Sequence, residues 1–151
     1  MDGRMDKIVN EFVQKILSPY PLPPAIEVVN YLHEAAEKVV KGILSCYAGK
    51  EVNFDDAIED LMRYMATERN FSPSDSLRIL GDLKKKINRE MKLNEKEFLK
   101  LSEIIDEVLY KAFDAYTKCR EKIFELRLKE KDRDIEIMRR IIEFSEKGGN
   151  E

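Results

Sequence analysis

The chain has 151 residues, 43% of them hydrophobic, so one domain can bury a core without help from disulfides or metals. Charged residues make up 38% of the chain, but the formal net charge of -3 argues against general attraction to nucleic acid. No stretch approaches the ~20 apolar residues of a membrane span, and the charged N-terminus lacks the apolar core of a signal peptide. We therefore expect a small soluble cytoplasmic protein in which Cys46 and Cys119 stay reduced.

Hydrophobic periodicity predicts three helices in the first half of the chain. The first covers about residues 6–17 and ends at a proline-containing turn. The second opens at Pro23-Pro24 and runs to the residue before Gly49, which can cap it. Asn53 can cap the third, which ends near residues 69–70. The second helix has its apolar residues on one inward stripe: Ile26, Val29, His33, Ala36, Val40, Ile43 and Tyr47.

Two further helices are predicted in the second half. Ser72 is a good N-cap and Pro73 fits the first helical position, so a fourth helix is expected to continue to about Met91. Asn94 can cap the last helix, with Glu97 completing a capping box. Residues 95–147 contain no Pro or Gly, which predicts a helix of roughly 50 residues, or ~75 Å at ~1.5 Å per residue.

The last helix divides into two parts. Residues 129–134 are all charged, and beyond them the apolar spacing resumes in line with Leu128 and becomes typical of a coiled-coil seam. We therefore predict a core domain over residues 1–127 and a helical arm with a frayed tail over residues 128–151, the arm pairing with a second copy. The spacing does not decide whether the helix is continuous or kinked near residues 128–134. The inward stripe before the break is Phe98, Leu101, Ile105, Val108, Ala112, Tyr116, Cys119, Ile123 and Leu126.

His33 is the single histidine and shares the apolar stripe of the second helix. A buried or interface histidine with an ordinary hydrogen bond is the favoured interpretation, and a haem ligand is the alternative. Because histidine titrates near neutral pH, His33 is also a candidate for a pH-sensitive or ligand-proximal residue. A di-iron site would need two Glu-x-x-His motifs, which one histidine cannot supply.

Other candidate chemistry has a simpler structural interpretation. The four carboxylates within residues 55–60 are typical of a solvated first helical turn rather than a metal site. Cys46 lies roughly 20 Å along the same helix from His33, too far for a catalytic dyad. The basic run Lys84-Lys85-Lys86 lacks interleaved aromatic residues for base stacking, which favours a solvated face. We predict no catalytic, cofactor-binding or metal-binding residues.

Two segments, 56–90 and 112–127, carry the most specific signal. Together with Tyr20-Pro21 they resemble the N-terminal domain family of the RsbR/RsbRD-type stressosome co-antagonist proteins, over about residues 8–127. The chain is similar to a short stand-alone member, although Phe12 stands where many members carry Trp. The most specific strings are Phe71-Ser72-Pro73-Ser74 and Phe113-Asp114-Ala115-Tyr116-Thr117-Lys118-Cys119-Arg120-Glu121-Lys122.

The resemblance implies a globin-like helical fold without haem, forming dimers and acting as a signal-input or interaction module. It supplies no ligand and no catalytic residue. The combined expectation is an all-α, globin-like bundle of about five main helices, with a long C-terminal helix extending from the core. Phe71 and Phe113 are the aromatic residues expected to pack the turn and the core.

The favoured hypothesis is a non-catalytic signal-input or adaptor domain without a cofactor. It would homodimerise and bind a protein partner, or transmit a signal, through its C-terminal helix, with no role for nucleic acid or membrane. The tentative interface residues are Leu128, Ile135, Met138 and Ile142. The main alternative is a sensor that holds a lipid or another apolar ligand in its core. A cofactor enzyme or oxygen carrier and a nucleic-acid binder are the remaining alternatives.

Overall fold

The computed structural model describes residues 3–22, 24–68 and 70–148. These residues form helices and no strand, which confirms the all-α fold with its long C-terminal helix. The expected opening at Pro23, the expected end at Arg69 and the tail after residue 148 lie outside the described residues. The helices are α1 Gly3–Leu17, α2 Ile26–Tyr47, α3 Asp55–Thr67, α4 Pro73–Gly81, α5 Leu83–Met91 and α6 Glu95–Gly148.

The predicted fourth helix is two helices, α4 and α5, divided at Asp82. Asp82 follows Gly81, and glycine is among the weakest helix formers. The backbone of Asp82 nevertheless stays right-handed, with φ -64° and ψ -16°, and its N–H donates to the Arg78 carbonyl at 2.9 Å. Because the turn is itself nearly helical, the apolar spacing continues across it, and the sequence pattern indicates one helix.

The start of α2 also differs from the expectation. Ala25 is the N-cap, with an extended backbone at φ -52° and ψ 147°, so Pro24 precedes the helix rather than opening it. The prediction that Ile26 joins the inward stripe is wrong, because 69% of its side chain is exposed. The rest of the helix buries Leu32, Ala35, Ala36, Val39, Val40, Gly42 and Ile43.

The predicted caps at Ser72 and Asn94 are present, and each is part of a capping box. The Ser72 hydroxyl accepts from the Asp75 N–H at 3.1 Å, and the Asp75 carboxylate accepts from the Ser72 N–H at 3.4 Å. Asn94 and Glu97 make the same reciprocal pair at 2.9 and 3.2 Å. These bonds satisfy backbone donors that a helix start leaves without partners. The beginnings of α4 and α6 are therefore fixed by short-range contacts.

Local bonds also form at the end of α2 and at the start of α3. Gly49 has φ +89°, a left-handed conformation that glycine adopts without strain, and its N–H donates to the Cys46 carbonyl at 3.0 Å. The Lys50 N–H donates to the Ser45 carbonyl at 3.0 Å, which completes a Schellman motif. The N-cap of α3 is Phe54, so the predicted cap Asn53 lies one residue too early, although its side chain still accepts from the Asp55 N–H at 2.9 Å.

The inward faces of the helices meet in one core, which includes the predicted Phe71. The Tyr116 hydroxyl donates to the Phe71 carbonyl at 2.8 Å inside this core. The prediction that Phe113 packs in the core is wrong, because its side chain is 47% exposed. Phe113 follows the buried Ala112 by one residue, and one residue turns a helix by about 100°, away from the buried stripe.

The basic face of α5 binds neighbouring helices rather than being only solvated. The Lys84 ammonium lies 2.6 Å from the Asp106 carboxylate on α6. The Arg89 guanidinium lies 2.7 Å from Glu11 on α1 and 3.1 Å from Glu90. The hydrogen bond from Arg89 to Glu11 raises the pKa of the guanidinium above its ordinary value. Lys84 and Arg89 thus connect α5 to carboxylates of α6 and α1, an arrangement that depends on tertiary packing.

The chain divides into two compact units, a first unit ending at Cys119 and a second unit beginning at Arg120. Both take residues from α6, which is one helix through residues 128–134. The division comes earlier in α6 than the expected boundary between residues 127 and 128. The prediction that the inward stripe extends to Leu126 is wrong, because 53% of this side chain is exposed, whereas Tyr116 is 2% exposed.

Replacing Ser72 with Ala should lower the free energy of unfolding by about 1 kcal/mol, because the change removes the acceptor for the Asp75 N–H. Denaturant unfolding followed by helical circular dichroism measures the loss. Ser72→Asp is the matched control, since aspartate also accepts this bond and should retain most of the stability. Equal unfolding midpoints for wild type and Ser72→Ala would count against the capping role.

Gly42→Ala should destabilise the protein by about 1–3 kcal/mol through overpacking, although alanine is the better helix former. A methyl group at Gly42 would overlap the ring of Phe54, which packs directly on the glycine. Gly81→Ala is the control, because a methyl group there meets no atom within 4 Å. Thermal unfolding of both variants tests this difference, and a stable Gly42→Ala would show that the Phe54 ring moves easily.

Candidate functional site

The second unit carries large apolar side chains that its own helix does not cover. They are between 46% and 81% exposed. Exposed apolar surface on this scale, concentrated on one element, is typical of an interaction site. The side chains are Phe124, Leu126, Leu128, Ile135, Ile137, Met138, Ile141, Ile142 and Phe144.

Five of these side chains form what we name the seam. Leu128, Ile135 and Ile142 are spaced seven residues apart. Phe124 lies four residues before Leu128, and Met138 lies three residues after Ile135. They occupy a and d positions of a heptad repeat, which face a partner helix in a coiled coil, and Lys131 occupies the d position between Leu128 and Ile135. The four predicted interface residues therefore lie on one side of one continuous helix. Phe124 belongs to the same row, although the sequence prediction did not include it.

A second apolar row lies beside the seam. We name Ile137, Ile141 and Phe144 the flank. At about 100° per residue, the seam and the flank together cover about half of the helix circumference over residues 135–144. The opposite half is charged and includes an ion pair of 2.8 Å between Arg140 and Glu136. The apolar face is therefore wider than a two-stranded a and d seam requires.

Charged residues border the seam in a regular order. In the heptad numbering that places Leu128 at a, Arg127 and Asp134 occupy g positions, and Asp132 and Arg139 occupy e positions. A parallel coiled coil brings each g residue close to the e residue five positions later on the other chain. These contacts would be Arg127 with Asp132 and Asp134 with Arg139, both of opposite charge.

The remaining sequence candidates lie in the first unit and do not converge on one site. His33 is half-buried on α2, with Nε2 3.1 Å from Asn10 Oδ1 on α1, as the interpretation of an ordinary hydrogen-bonded histidine expects. Its pH sensitivity stays a prediction. Cys46 and Cys119 are free thiols. Within residues 3–22, 24–68 and 70–148, no three His, Cys, Asp or Glu side chains cluster as a metal site would require.

Two of the acidic residues at the start of α3 form ion pairs, one with α6 and one within α3. Asp55 accepts from the Lys111 ammonium at 2.9 Å, and Asp60 lies 3.4 Å from Arg63.

In the part of the chain that the structure describes, no helix combines the length and the apolar character needed to cross a membrane.

Comparison with known proteins identifies one informative relative. A protein of Archaeoglobus fulgidus, described as an uncharacterized protein, is 48% identical over 139 residues, which cover 92% of this chain and 92% of the relative. No family model and no solved structure matches the chain.

Proposed function

The chain belongs to the same protein family as the uncharacterized Archaeoglobus fulgidus protein, and we propose that it is a non-catalytic signal-input or adaptor domain that homodimerises through the seam. The observation that carries the proposal is the exposed apolar row at seven-residue spacing in the second unit. Burying one such side chain contributes about 1.5–3 kcal/mol, so a second copy that covers the seam gains substantial free energy. The dimer is proposed to act in the cytoplasm.

The bordering charges favour parallel chains in register. Both Arg127–Asp132 and Asp134–Arg139 contacts between chains are attractive in that arrangement, and symmetry forms each of them twice. An antiparallel pair sets e positions against e positions instead. With Ile135 opposite Met138 of the second copy, such a pair would bring Glu125 towards Glu146 and Asp132 towards Arg139, so one of its two contacts is repulsive. Like charges at close range are unfavourable, so the parallel arrangement is the one we propose.

The flank is the proposed contact for a protein partner. A two-stranded coiled coil covers mainly its a and d positions, whereas Ile137 and Phe144 lie at c positions outside them. The Phe144 side chain is 81% exposed. A partner helix that packs beside the dimer would cover this row, in the manner of an amphipathic helix in an apolar groove. In this proposal the seam forms the dimer and the flank binds the protein partner, on two rows of one helix.

The signalling part of the proposal rests on α6 being shared by the two units. Within the first unit, its early residues are held by the 2.6 Å contact between Asp106 and Lys84 and by the Tyr116 hydrogen bond to Phe71. A change in this packing would move residues of the same helix that bear the seam. The transmitted signal would then be a change in the position or register of α6, as in other two-state interfaces.

The resemblance to the stressosome co-antagonist domains and the globin-like arrangement are further parts of the proposal. Support for them comes from the two most specific strings. One string contains Phe71 and the other contains Tyr116, and these residues share a buried hydrogen bond. The strings therefore include residues that meet in the core, as expected of a signature that specifies a fold.

Replacing Ile135, Met138 and Ile142 together with Lys should weaken self-association by about a hundredfold or more, because three buried apolar side chains are lost. Sedimentation equilibrium measures the dissociation constant. The first unit should stay folded, since its core does not include these residues.

The matched control is Ile137→Lys with Phe144→Lys, which changes the flank and leaves the seam intact. This variant should remain dimeric. A monomeric wild-type protein, or equal loss of association in both variants, would contradict the proposed seam.

Reversing one bordering charge tests the parallel register separately. Arg127→Asp places two like-charged contacts in the parallel dimer and should weaken it about three- to tenfold at low salt, where exposed pairs contribute most. Adding Asp132→Arg restores opposite charges and should recover most of the affinity. If the double variant associates no better than Arg127→Asp alone, the chains do not pair in parallel register.

A further inference from the structure

A cleft of about 440 Å³ opens in the first unit between the end of α1, the start of α2 and the end of α3. Three aromatic side chains line it, one from each of these regions. Tyr20 follows α1, Tyr31 lies on α2, and Tyr64 lies on α3. The described residues that line the cleft are Tyr20, Pro24, Glu27, Val28, Tyr31, Tyr64 and Glu68.

The hydroxyl of Tyr20 is buried and makes no hydrogen bond of ordinary length and angle within the described residues. Burial raises its pKa well above the ordinary value, and the nearby Tyr64 hydroxyl and Glu68 carboxylate act in the same direction. Tyr20 is therefore neutral at physiological pH. Its nearest polar groups are the Tyr64 hydroxyl and the Glu68 carboxylate, so the phenol lies beside a carboxylate at the wall of the cleft.

The described residues that line the cleft carry a net negative charge. Glu27 and Glu68 both line it, and the Glu68 carboxylate lies beside the Tyr20 hydroxyl. Asp60 lies beside Tyr31, and burial together with Asp60 raises the Tyr31 pKa. The charge of Asp60 is offset by Arg63 at 3.4 Å, which also reaches the Tyr31 hydroxyl. Among the described residues at the cleft, the two glutamates therefore determine the net charge.

We propose that this cleft binds a small organic cation that carries an alkylammonium group. Tyrosine rings attract a cation through their electron-rich faces, and cages of such rings recognise quaternary and methylated ammonium groups. The two carboxylates add attraction for positive charge. A fatty acid would bring its own carboxylate towards Glu27 and Glu68, and a neutral apolar ligand would leave both carboxylates without a partner. The site lies in the first unit and does not require the dimer.

Calorimetric titration of the full chain with choline, tetramethylammonium and methylammonium tests the proposal. At least one of these cations should bind saturably at one site per chain. The neutral isostere of choline, in which carbon replaces the charged nitrogen, should bind at least tenfold more weakly. Equal affinity for the neutral isostere, or no saturable binding of any of the three cations, would overturn the proposal.

Variants of Tyr31 locate the binding site. This side chain is 39% exposed, so its replacement should leave the core intact. Tyr31→Leu removes the ring and should weaken cation binding about five- to tenfold, whereas Tyr31→Phe should retain most of the affinity. Tyr110→Leu is the control, since Tyr110 is an exposed tyrosine on α6 that does not line the cleft. Equal affinities for Tyr31→Leu and Tyr110→Leu would refute this location.

A second pair of variants tests the carboxylates. Glu68→Gln keeps the shape of the side chain and removes its charge, so it should weaken cation binding and leave binding of the neutral isostere unchanged. Glu103→Gln, an exposed glutamate of α6, is the control. Loss of affinity for both ligands in Glu68→Gln would show that shape rather than charge governs the cleft, and this result would contradict a cation site.

Discussion

The hydrogen bond of 2.8 Å from the Tyr116 hydroxyl to the Phe71 carbonyl is the contact on which the arrangement of the first unit depends. It joins the residue before the Ser72 cap to the last buried position of α6. A buried carbonyl without a donor would cost about 1–3 kcal/mol. The bond therefore fixes which face of α6 points into the core. It also marks where the core ends, because no described residue after Tyr116 is buried.

The two parts of α6 have similar apolar spacing, but the apolar side chains are buried in the first unit and exposed in the second. Before Tyr116 the side chains of Leu101, Ile105 and Val108 are at most 3% exposed, because α1 to α5 provide a core for them. In the second unit, seam residues such as Ile135 and Ile142 are more than half exposed. Apolar surface favours burial wherever a partner is available. The intramolecular core and the proposed dimer seam are therefore two ways of covering one kind of helix face.

The sequence predicted best the features that depend on neighbouring residues. The capping boxes at Ser72 and Asn94 and the left-handed Gly49 each involve residues at most a few positions apart. The exposure of Phe113 and Leu126 was predicted wrongly, because it depends on how α6 is rotated against the other helices and on where the core ends. The pairing of Lys84 with Asp106 joins residues far apart in the chain, and local spacing does not determine it.

The same distinction between local and long-range contacts applies to the two candidate sites. The seam lies on one helix, so the seven-residue spacing identified most of it, and a full helical wheel would have added Phe124 and the flank. The tyrosine cleft combines residues from three regions of the chain that only tertiary packing brings together. Tyr20-Pro21 is part of the family resemblance, but no spacing rule connects Tyr20 with Tyr31 or Tyr64. Convergence of this kind is visible only in three dimensions.

The cleft and α6 are connected by a short series of hydrogen bonds within the first unit. Glu68 lines the cleft, and its carbonyl accepts from the Phe71 N–H at 3.5 Å. The Phe71 carbonyl in turn accepts from Tyr116 on α6. A ligand that shifts Glu68 would thus act on the contact that orients α6. If this series couples the cleft to the proposed dimer, linkage requires reciprocity: a ligand that strengthens the dimer must bind more tightly to it, and with two clefts per dimer the gain in association is the product of the two affinity ratios.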